Sequence, residues 1–367
     1  MIYLDYASHM PPSKVALEAF FDGETRFAAN ANARHPAGLT AREEYERAKT
    51  GIAGLLGAKP DEVQFTSGAS EGNNLAIKGI TRAYPHVGRH VLSTPLAHPS
   101  ESGALAALTE QGYEVGLLRV KPDGKIDLSH LKTVLRKDTV LVCVSAVDSE
   151  LGVIQPLDGI VETMKAFPRC HLHIDAAQAV GKVDIPLFSA LNASTLAISA
   201  HKFGGVGGCG VLLKRGDVVL EPFVHGGGTP ALGLAASCYA ALEEALRLRG
   251  ERFDYVMKLR TRVVDALSAF PRVRVNSPAN ASPYILNISI DGLRGTAVRD
   301  ALNHNGIYIS VKSACATDNS PSRPVLAISD KKNALASWRV SFSYLTTEAD
   351  IDGFLHGVEL IIKEGCK

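Results

Sequence analysis

The chain has 367 residues, and its 39 lysine and arginine residues nearly balance its 38 aspartate and glutamate residues. A near-neutral charge gives no reason to expect a nucleic-acid-binding surface, which is normally strongly basic. The longest nearly uninterrupted apolar stretch, TVLVCVSAV at 139–147, is too short to span a bilayer, and the N-terminal MIYLDYASHM lacks the pattern of a secretory signal. We therefore expect a cytoplasmic protein that binds neither nucleic acid nor membranes.

Short apolar runs alternate with helical patterns from about residue 60 to 215. The runs are EVQFTS, HVLST, EVGLLRV, TVLVCVSAV, HLHIDAA, TLAISA and GCGVLLK. This alternation predicts a mostly parallel sheet covered by helices on both faces. A long helical stretch at 235–270 follows, and then shorter strands such as YILNISI and a final helix, EADIDGFLHGVELIIK, which together predict a second α+β domain.

Three predicted strand ends carry unusual polar residues, at the edge where such sheets bind ligands. QFTSGAS leads through Gly68, Ala69 and Ser70 into a helix that could hold a phosphate, or that is simply capped by serine. HLHIDAAQ ends at Asp175, which could keep a pyridinium nitrogen charged or cap a helix. ISAHKFGG places Lys202 where its amine could form a Schiff base with an aldehyde or extend to solvent. Together these are the three contacts that pyridoxal phosphate requires.

Six cysteines are scattered along the chain, at positions 143, 170, 209, 238, 315 and 366. Without a C-x-x-C pair or the His and Cys spacing of zinc ligands, neither a disulfide framework nor a metal site is expected. Ser, Asn, Asp and Pro surround Cys315, which predicts a mobile surface loop. Exposure and the nearby Lys312 would favour a reactive thiolate there, whereas most of the other cysteines read as core thiols.

The chain resembles the class V aminotransferase family of pyridoxal-phosphate enzymes, and within it the cysteine desulfurases. The resemblance covers nearly the whole chain through the motifs YLDYAS, TSGASEGNNLAI, HIDAAQAVGKVDI, SAHKFGGVGGCGVL, HGGG, SACA and RVSFSYLTTEADID. It implies an α/β fold: an aspartate-aminotransferase-like large domain with a mostly parallel seven-stranded sheet, plus a smaller α+β C-terminal domain. We place the large pyridoxal-phosphate-binding domain at 15–245, and the small domain, with the catalytic cysteine loop, at 1–14 and 246–367.

The resemblance also implies roles for residues that match family motifs. Lys202 would carry the cofactor, Asp175 would bond its pyridine nitrogen and Gln178 its ring oxygen. His98, which without the resemblance is better interpreted as a capping or surface histidine, would stack on the ring and could carry protons. The residues implied at the phosphate are Gly68, Ala69, Ser70, Ser199 and His201. Thr229 is added to them because it matches a threonine that, in relatives, reaches the phosphate of the partner subunit.

Two further residues are implied to contact the substrate. Arg339 in SWRVSFS would hold the substrate carboxylate by a two-point contact, and a surface ion pair is the alternative. Asn30 in FAANANARHPAGL would line the entrance, and polar loop filler is the alternative there. The chain departs from the family at two places. At the cofactor-binding position Ser149 the family usually has an asparagine that contacts the ring oxygen, so either a water intervenes or the cofactor is tuned differently. After HGGG an arginine-containing segment is missing.

The implied reaction converts L-cysteine to L-alanine. Cys315 would take the sulfur as a persulfide and pass it to an acceptor protein for iron–sulfur cluster or thio-cofactor assembly, with the enzyme acting as a homodimer. Other reactions of the same cofactor remain alternatives, namely those of a selenocysteine lyase, an epimerase or an aminotransferase. A non-catalytic scaffold is a third possibility, which the retained Lys202, Asp175 and Cys315 disfavour.

Overall fold

The computed structural model describes residues 1–226, 228, 230–312 and 320–364, in which the chain forms 12 strands and 13 α-helices. The strands are β1 Ile2–Tyr3, β2 Val63–Thr66, β3 His90–Ser93, β4 Glu114–Leu117, β5 Thr139–Ser145, β6 His171–Asp175, β7 Thr195–Ser199, β8 Gly210–Lys214, β9 Val273–Val275, β10 Ile285–Ile290, β11 Ile307–Tyr308 and β12 Ser337–Ser341. The helices are α1 Lys14–Arg26, α2 Pro36–Leu56, α3 Ala69–Ala83, α4 Pro99–Glu110, α5 Leu128–Val134, α6 Leu157–Met164, α7 Phe188–Leu191, α8 Leu232–Arg247, α9 Arg249–Leu267, α10 Gly295–His304, α11 Arg323–Ile328, α12 Lys331–Ala336 and α13 Glu348–Glu364.

The central sheet has seven strands in the order β2-β8-β7-β6-β5-β3-β4. The neighbours from β7 to β4 are parallel, whereas β8 runs antiparallel to both β7 and β2. Strands β5 and β7 are buried along their whole length, as strands covered on both faces must be. The prediction of a mostly parallel seven-stranded sheet is therefore confirmed.

A second sheet and a second core lie in the C-terminal part of the chain. Strands β12, β10 and β9 form an antiparallel sheet, and β1 pairs in parallel with β11. The core around the central sheet takes residues between Ala16 and Ala245, whereas the second takes Leu4, Ala7 and residues from Val256 to Ile361. The domain division at residue 245 stays a prediction, and this separation of cores supplies a physical basis for it.

The long helical stretch expected at 235–270 is two helices, α8 and α9. Leu248 separates them with φ −97° and ψ 4°, outside the helical region. An ion pair between Arg252 and Glu244, at 3.3 Å, spans the break. The break lies in RLRGER at 247–252, where charged residues and a glycine interrupt the apolar spacing.

The four cysteines in the described ranges, Cys143, Cys170, Cys209 and Cys238, are free thiols. Burial raises the pKa of Cys170 to about 12, so its thiol stays protonated at neutral pH. Cys315 and Cys366 lie outside the described residues. Within those residues, no helix combines the length and the apolar character needed to cross a membrane.

Candidate active site

A cavity with a volume of about 240 Å³ lies at the sheet edge where β2, β6 and β7 end. Because the carboxyl ends of parallel strands share one edge, Asp175 at the end of β6 and Ser199 at the end of β7 come together there. The lining residues are Ala7, Ser8, Ala69, Ser70, His98, Ser100, Ser145, Val147, Ser149, Asp175, Ala177, Gln178, Ser199, His201, Lys202 and Arg339. Most of the site residues predicted from sequence therefore share one cavity.

The Lys202 amine lies inside this cavity rather than in solvent. Its Nζ donates hydrogen bonds to the backbone oxygens of Ala7 and Ser8, both at 2.7 Å. These oxygens belong to the segment between β1 and α1, which folds back over the sheet edge. The structure therefore excludes the alternative in which Lys202 extends into water.

Asp175 is 6% exposed, and both of its carboxylate oxygens are held. Oδ1 accepts the backbone N–H of Ala177 at 2.9 Å, so the carboxylate does cap the following turn. Oδ2 accepts from Asn73 Nδ2 at 2.7 Å. The carbonyl oxygen of the Asn73 side chain is in turn 2.9 Å from His173 Nε2. Burial lowers the pKa of His173 to about 4, so this imidazole is neutral and adds no positive charge beside Asp175.

His98 caps a helix and also lines the cavity, and its role at the cofactor ring stays a prediction. Its Nδ1 accepts the backbone N–H of Ser100 at 3.2 Å and lies 2.8 Å from the Ser100 hydroxyl, at the start of α4. The same hydroxyl accepts from Asn73 Nδ2 at 2.9 Å. Burial lowers the pKa of His98, which favours the neutral ring.

Glu101, which the sequence analysis did not single out, is a fully buried carboxyl group next to the cavity. Its Oε2 accepts from the Ser145 hydroxyl at 2.9 Å and from the backbone N–H of His98 at 3.2 Å. Burial raises its pKa to about 8, with the charge of Asp175 as the next contribution. A protonated Glu101 adds no second negative charge beside Asp175 near neutral pH.

The phosphate end of the predicted site is formed by the start of α3 and the end of β7. Ser199 Oγ accepts the backbone N–H of Ala69 at 2.7 Å, and Ser70 follows in the first helical turn, where N–H groups lack intrahelical partners. The backbone is closely packed here, because a Cβ atom on Gly210 would lie 2.6 Å from the Cα atom of Gly68.

His201 completes this end of the cavity and stacks on His9 with ring centroids 5.5 Å apart. Burial lowers the pKa of His201 to about 4, so its neutral ring can donate one hydrogen bond. Hydroxyl, amide and imidazole donors at one end, a carboxylate at the other and a lysine amine beside them fit pyridoxal phosphate.

Arg339 is in a buried ion pair, not in the surface pair considered from sequence. Its side chain is 2% exposed, and its Nη2 atom lies 2.7 Å from Asp5 Oδ1 and 2.8 Å from Ser8 Oγ. Its Nη1 donates to the backbone oxygen of Ser149 at 2.8 Å. Nε is buried without a hydrogen-bond partner in the described structure. The guanidinium group therefore lies in the cavity wall with one donor unused.

Asn30 is exposed, and it is not among the residues that line the cavity; its Oδ1 accepts the backbone N–H of Asn32 at 2.9 Å. Its role stays a prediction. Thr229 and Cys315 lie outside the described residues, so their predicted roles are untested.

Three residues near the site, Asn73, Ser100 and Glu101, were not predicted from the sequence. Only Asn73 had a sequence signal, because it follows Ser70 by about one helical turn and so lies on the same face of α3.

Comparisons with known proteins agree with this geometry. The family model described as aminotransferase class-V matches residues 2–250 and 227–354. A probable mitochondrial cysteine desulfurase of Schizosaccharomyces pombe is 35% identical over 371 residues, which cover 97% of this chain and 73% of the relative. A solved NifS-like protein has a TM-score of 0.92 at 27% identity, covering 99% of both chains. SspA in complex with cysteine has a TM-score of 0.82 at 28% identity, covering 95% of this chain and all of the other.

Proposed function

The chain belongs to the class V aminotransferase family, within its cysteine desulfurases, and we propose on that basis that it converts L-cysteine to L-alanine and holds the sulfur on Cys315. Its cofactor is pyridoxal 5′-phosphate, which supplies an electron-withdrawing ring that stabilises negative charge developing on the substrate carbon. The observation that carries the proposal is the single cavity in which the Lys202 amine, the Asp175 carboxylate and the Ser70–Ser199–His201 donors lie together.

Each residue has a distinct task in the proposed site. Lys202 would hold the cofactor through its aldehyde, and its amine is the group that would take a proton from the substrate α-carbon. Asp175, fixed by Asn73 and Ala177, keeps the ring nitrogen protonated through its negative charge. His98 covers the ring, and Gln178 donates to the ring oxygen. The donors at the start of α3 hold the phosphate, which places the reactive aldehyde beside Lys202.

Arg339 binds the substrate carboxylate in this proposal. The substrate carboxylate competes with Asp5 for the guanidinium group, and the unused Nε–H supplies a further donor.

In the sulfur-transfer step, sulfur moves from the β-carbon of L-cysteine to Sγ of Cys315. The carbon–sulfur bond breaks as the sulfur–sulfur bond forms, and the carbon keeps the electron pair and takes up a proton to give L-alanine.

The persulfide sulfur passes to an acceptor protein for iron–sulfur cluster or thio-cofactor assembly. We further propose that the enzyme is a cytoplasmic homodimer in which Thr229 contacts the phosphate of the partner subunit. Both statements derive from the family resemblance.

The test is mass spectrometry of the cofactor-loaded protein after a brief exposure to L-cysteine, with the released alanine counted. We expect one added sulfur on Cys315 for each alanine. Cys315→Ser is expected to lose persulfide formation, while the control Cys170→Ser, which removes a thiol kept protonated by burial, retains it. Alanine without sulfur on Cys315 would instead indicate a direct lyase. If neither alanine nor a persulfide forms, the protein acts on another amino-acid substrate or is a non-catalytic scaffold.

A further inference from the structure

A second buried lysine, Lys182, lies close to the site and has no role in the reaction described above. It is 6% exposed, in the turn that follows β6. Its Nζ atom donates to Gln178 Oε1 at 2.7 Å and lies 5.9 Å from the centroid of the Tyr284 ring. Burying an ammonium group is costly, and an apolar side chain of similar length would pack there without that cost.

The bond to Lys182 determines which end of the Gln178 amide faces the cavity. An ammonium group donates hydrogen bonds and accepts none, so it can pair with the amide oxygen but not with the NH₂ group. Gln178 accordingly turns Nε2 away from Lys182 and donates to the backbone oxygen of Ala7 at 2.8 Å. Rotating the amide by half a turn would set an NH₂ group against the ammonium group and leave the Ala7 oxygen facing another oxygen.

We propose that Lys182 is a positioning residue whose ammonium group fixes the Gln178 amide with its NH₂ group toward the cofactor cavity, so that Gln178 offers a donor to the ring oxygen of pyridoxal phosphate. This inference rests on the proposed function, because it concerns the same cofactor. Gln178 lines the cavity, and one N–H of its amide remains for an acceptor there after the bond to Ala7.

The electrostatic environment of Lys182 is consistent with a role in the site. Burial, and after it the positive charges of Lys202 and Arg339, lower its pKa to about 7. Perturbed lysines of this kind concentrate at functional sites. The geometry of the amide, and not this shift, is the basis of the proposal.

The test uses Lys182→Met, which keeps the length of the side chain and removes the donor. The visible absorbance of the cofactor-loaded protein is titrated with pH in the absence of substrate. A donor makes the ring oxygen less basic, so its loss should raise the pH midpoint, by roughly half a unit or more for one hydrogen bond. Lys214→Met is the control, because Lys214 is a half-buried lysine that also uses its Nζ as a donor, to the backbone oxygen of Val218, and lies outside the cavity lining.

A double-mutant cycle determines whether Lys182 acts through Gln178. Gln178→Leu should raise the midpoint in the same way, and adding Lys182→Met to it should produce no further shift. A midpoint unchanged by Lys182→Met, or an equal additional shift in the Gln178→Leu background, overturns the inference. If the Met variant does not accumulate in folded form, Lys182→Gln replaces it with the same expectation, because an amide fixes neither orientation of Gln178. A wild-type protein without a titrating cofactor absorbance would refute the proposed function itself.

Discussion

Asn73 shows how much one side chain can determine in this site. Its NH₂ group donates to Asp175 and Ser100, and its oxygen pairs with the neutral His173. His173 thereby fixes the orientation of the Asn73 amide, and the amide fixes the carboxylate that faces the cofactor. The Asp175 role proposed above therefore depends on a helix residue that never contacts the cofactor cavity directly.

Replacing Asn73 with leucine should cost both stability and cofactor binding. The substitution leaves buried groups of Asp175 and His173 without a partner, which costs about 1–3 kcal/mol for each group. The free energy of unfolding in urea and the dissociation constant of the cofactor measure the two effects. Asn74→Leu is the matched control on the same helix, because the Asn74 side chain is half-buried and bonds only backbone oxygens. Equal losses in the two variants would contradict the role given to Asn73.

At the scale of elements, the strands and the convergence of their ends were predictable, whereas the side-chain partners were not. Apolar runs bounded by turn residues are a local signal, and the carboxyl-edge rule brings Asp175 and Lys202 together without further information. An asparagine inside a helix has no such local signal, so the link from Asn73 to Asp175 required the packing of α3 on β6. The break at Leu248 lies in RLRGER at 247–252, where the charged residues and the glycine were the available signal for it.

The close approach of strand ends at the phosphate site predicts the effect of Gly210→Ala. The added methyl group would lie 2.5 Å from the Ile198 oxygen and 2.6 Å from the Gly68 Cα atom, so the turn before α3 must move. We expect the affinity for pyridoxal phosphate to fall by at least about tenfold, since a shift of that turn misplaces several donors at once. Equilibrium titration with the cofactor measures it.

Gly54→Ala supplies the control for this substitution. A Cβ atom at Gly54, inside α2, would meet no heavy atom within 4 Å. It should leave cofactor affinity unchanged and stabilise the helix by up to about 1 kcal/mol. Unchanged affinity in Gly210→Ala would show that the turn tolerates the displacement.

At the scale of the whole molecule, the N-terminal segment joins the two cores at the site. Leu4 and Ala7 pack in the second core, while the backbone oxygens of Ala7 and Ser8 hold Lys202 beside the central sheet. Asp5 of the same segment pairs with Arg339 of β12, which also belongs to the part of the molecule around the second core and lines the cavity. The sequence could not indicate this arrangement, because the partners of YLDYAS lie some 200 to 330 residues away along the chain.

The pH dependence of stability provides a prediction for the whole molecule through Glu101. Its pKa is about 8 in the folded protein and 4.5 without burial, so the folded state keeps a proton that the unfolded chain has released between those values. The stabilising effect of that proton is complete below pH 4.5 and is lost as the pH rises to about 8.

Glu101→Gln tests this effect, because a glutamine oxygen can still accept from the Ser145 hydroxyl and the His98 N–H but the side chain cannot ionise. Its free energy of unfolding in urea, relative to that of the wild type, should therefore increase steadily from pH 5 to pH 8 and then level off. Parallel pH profiles for the two proteins would mean that Glu101 is already ionised in the fold, and that Asp175 shares its region with a second negative charge.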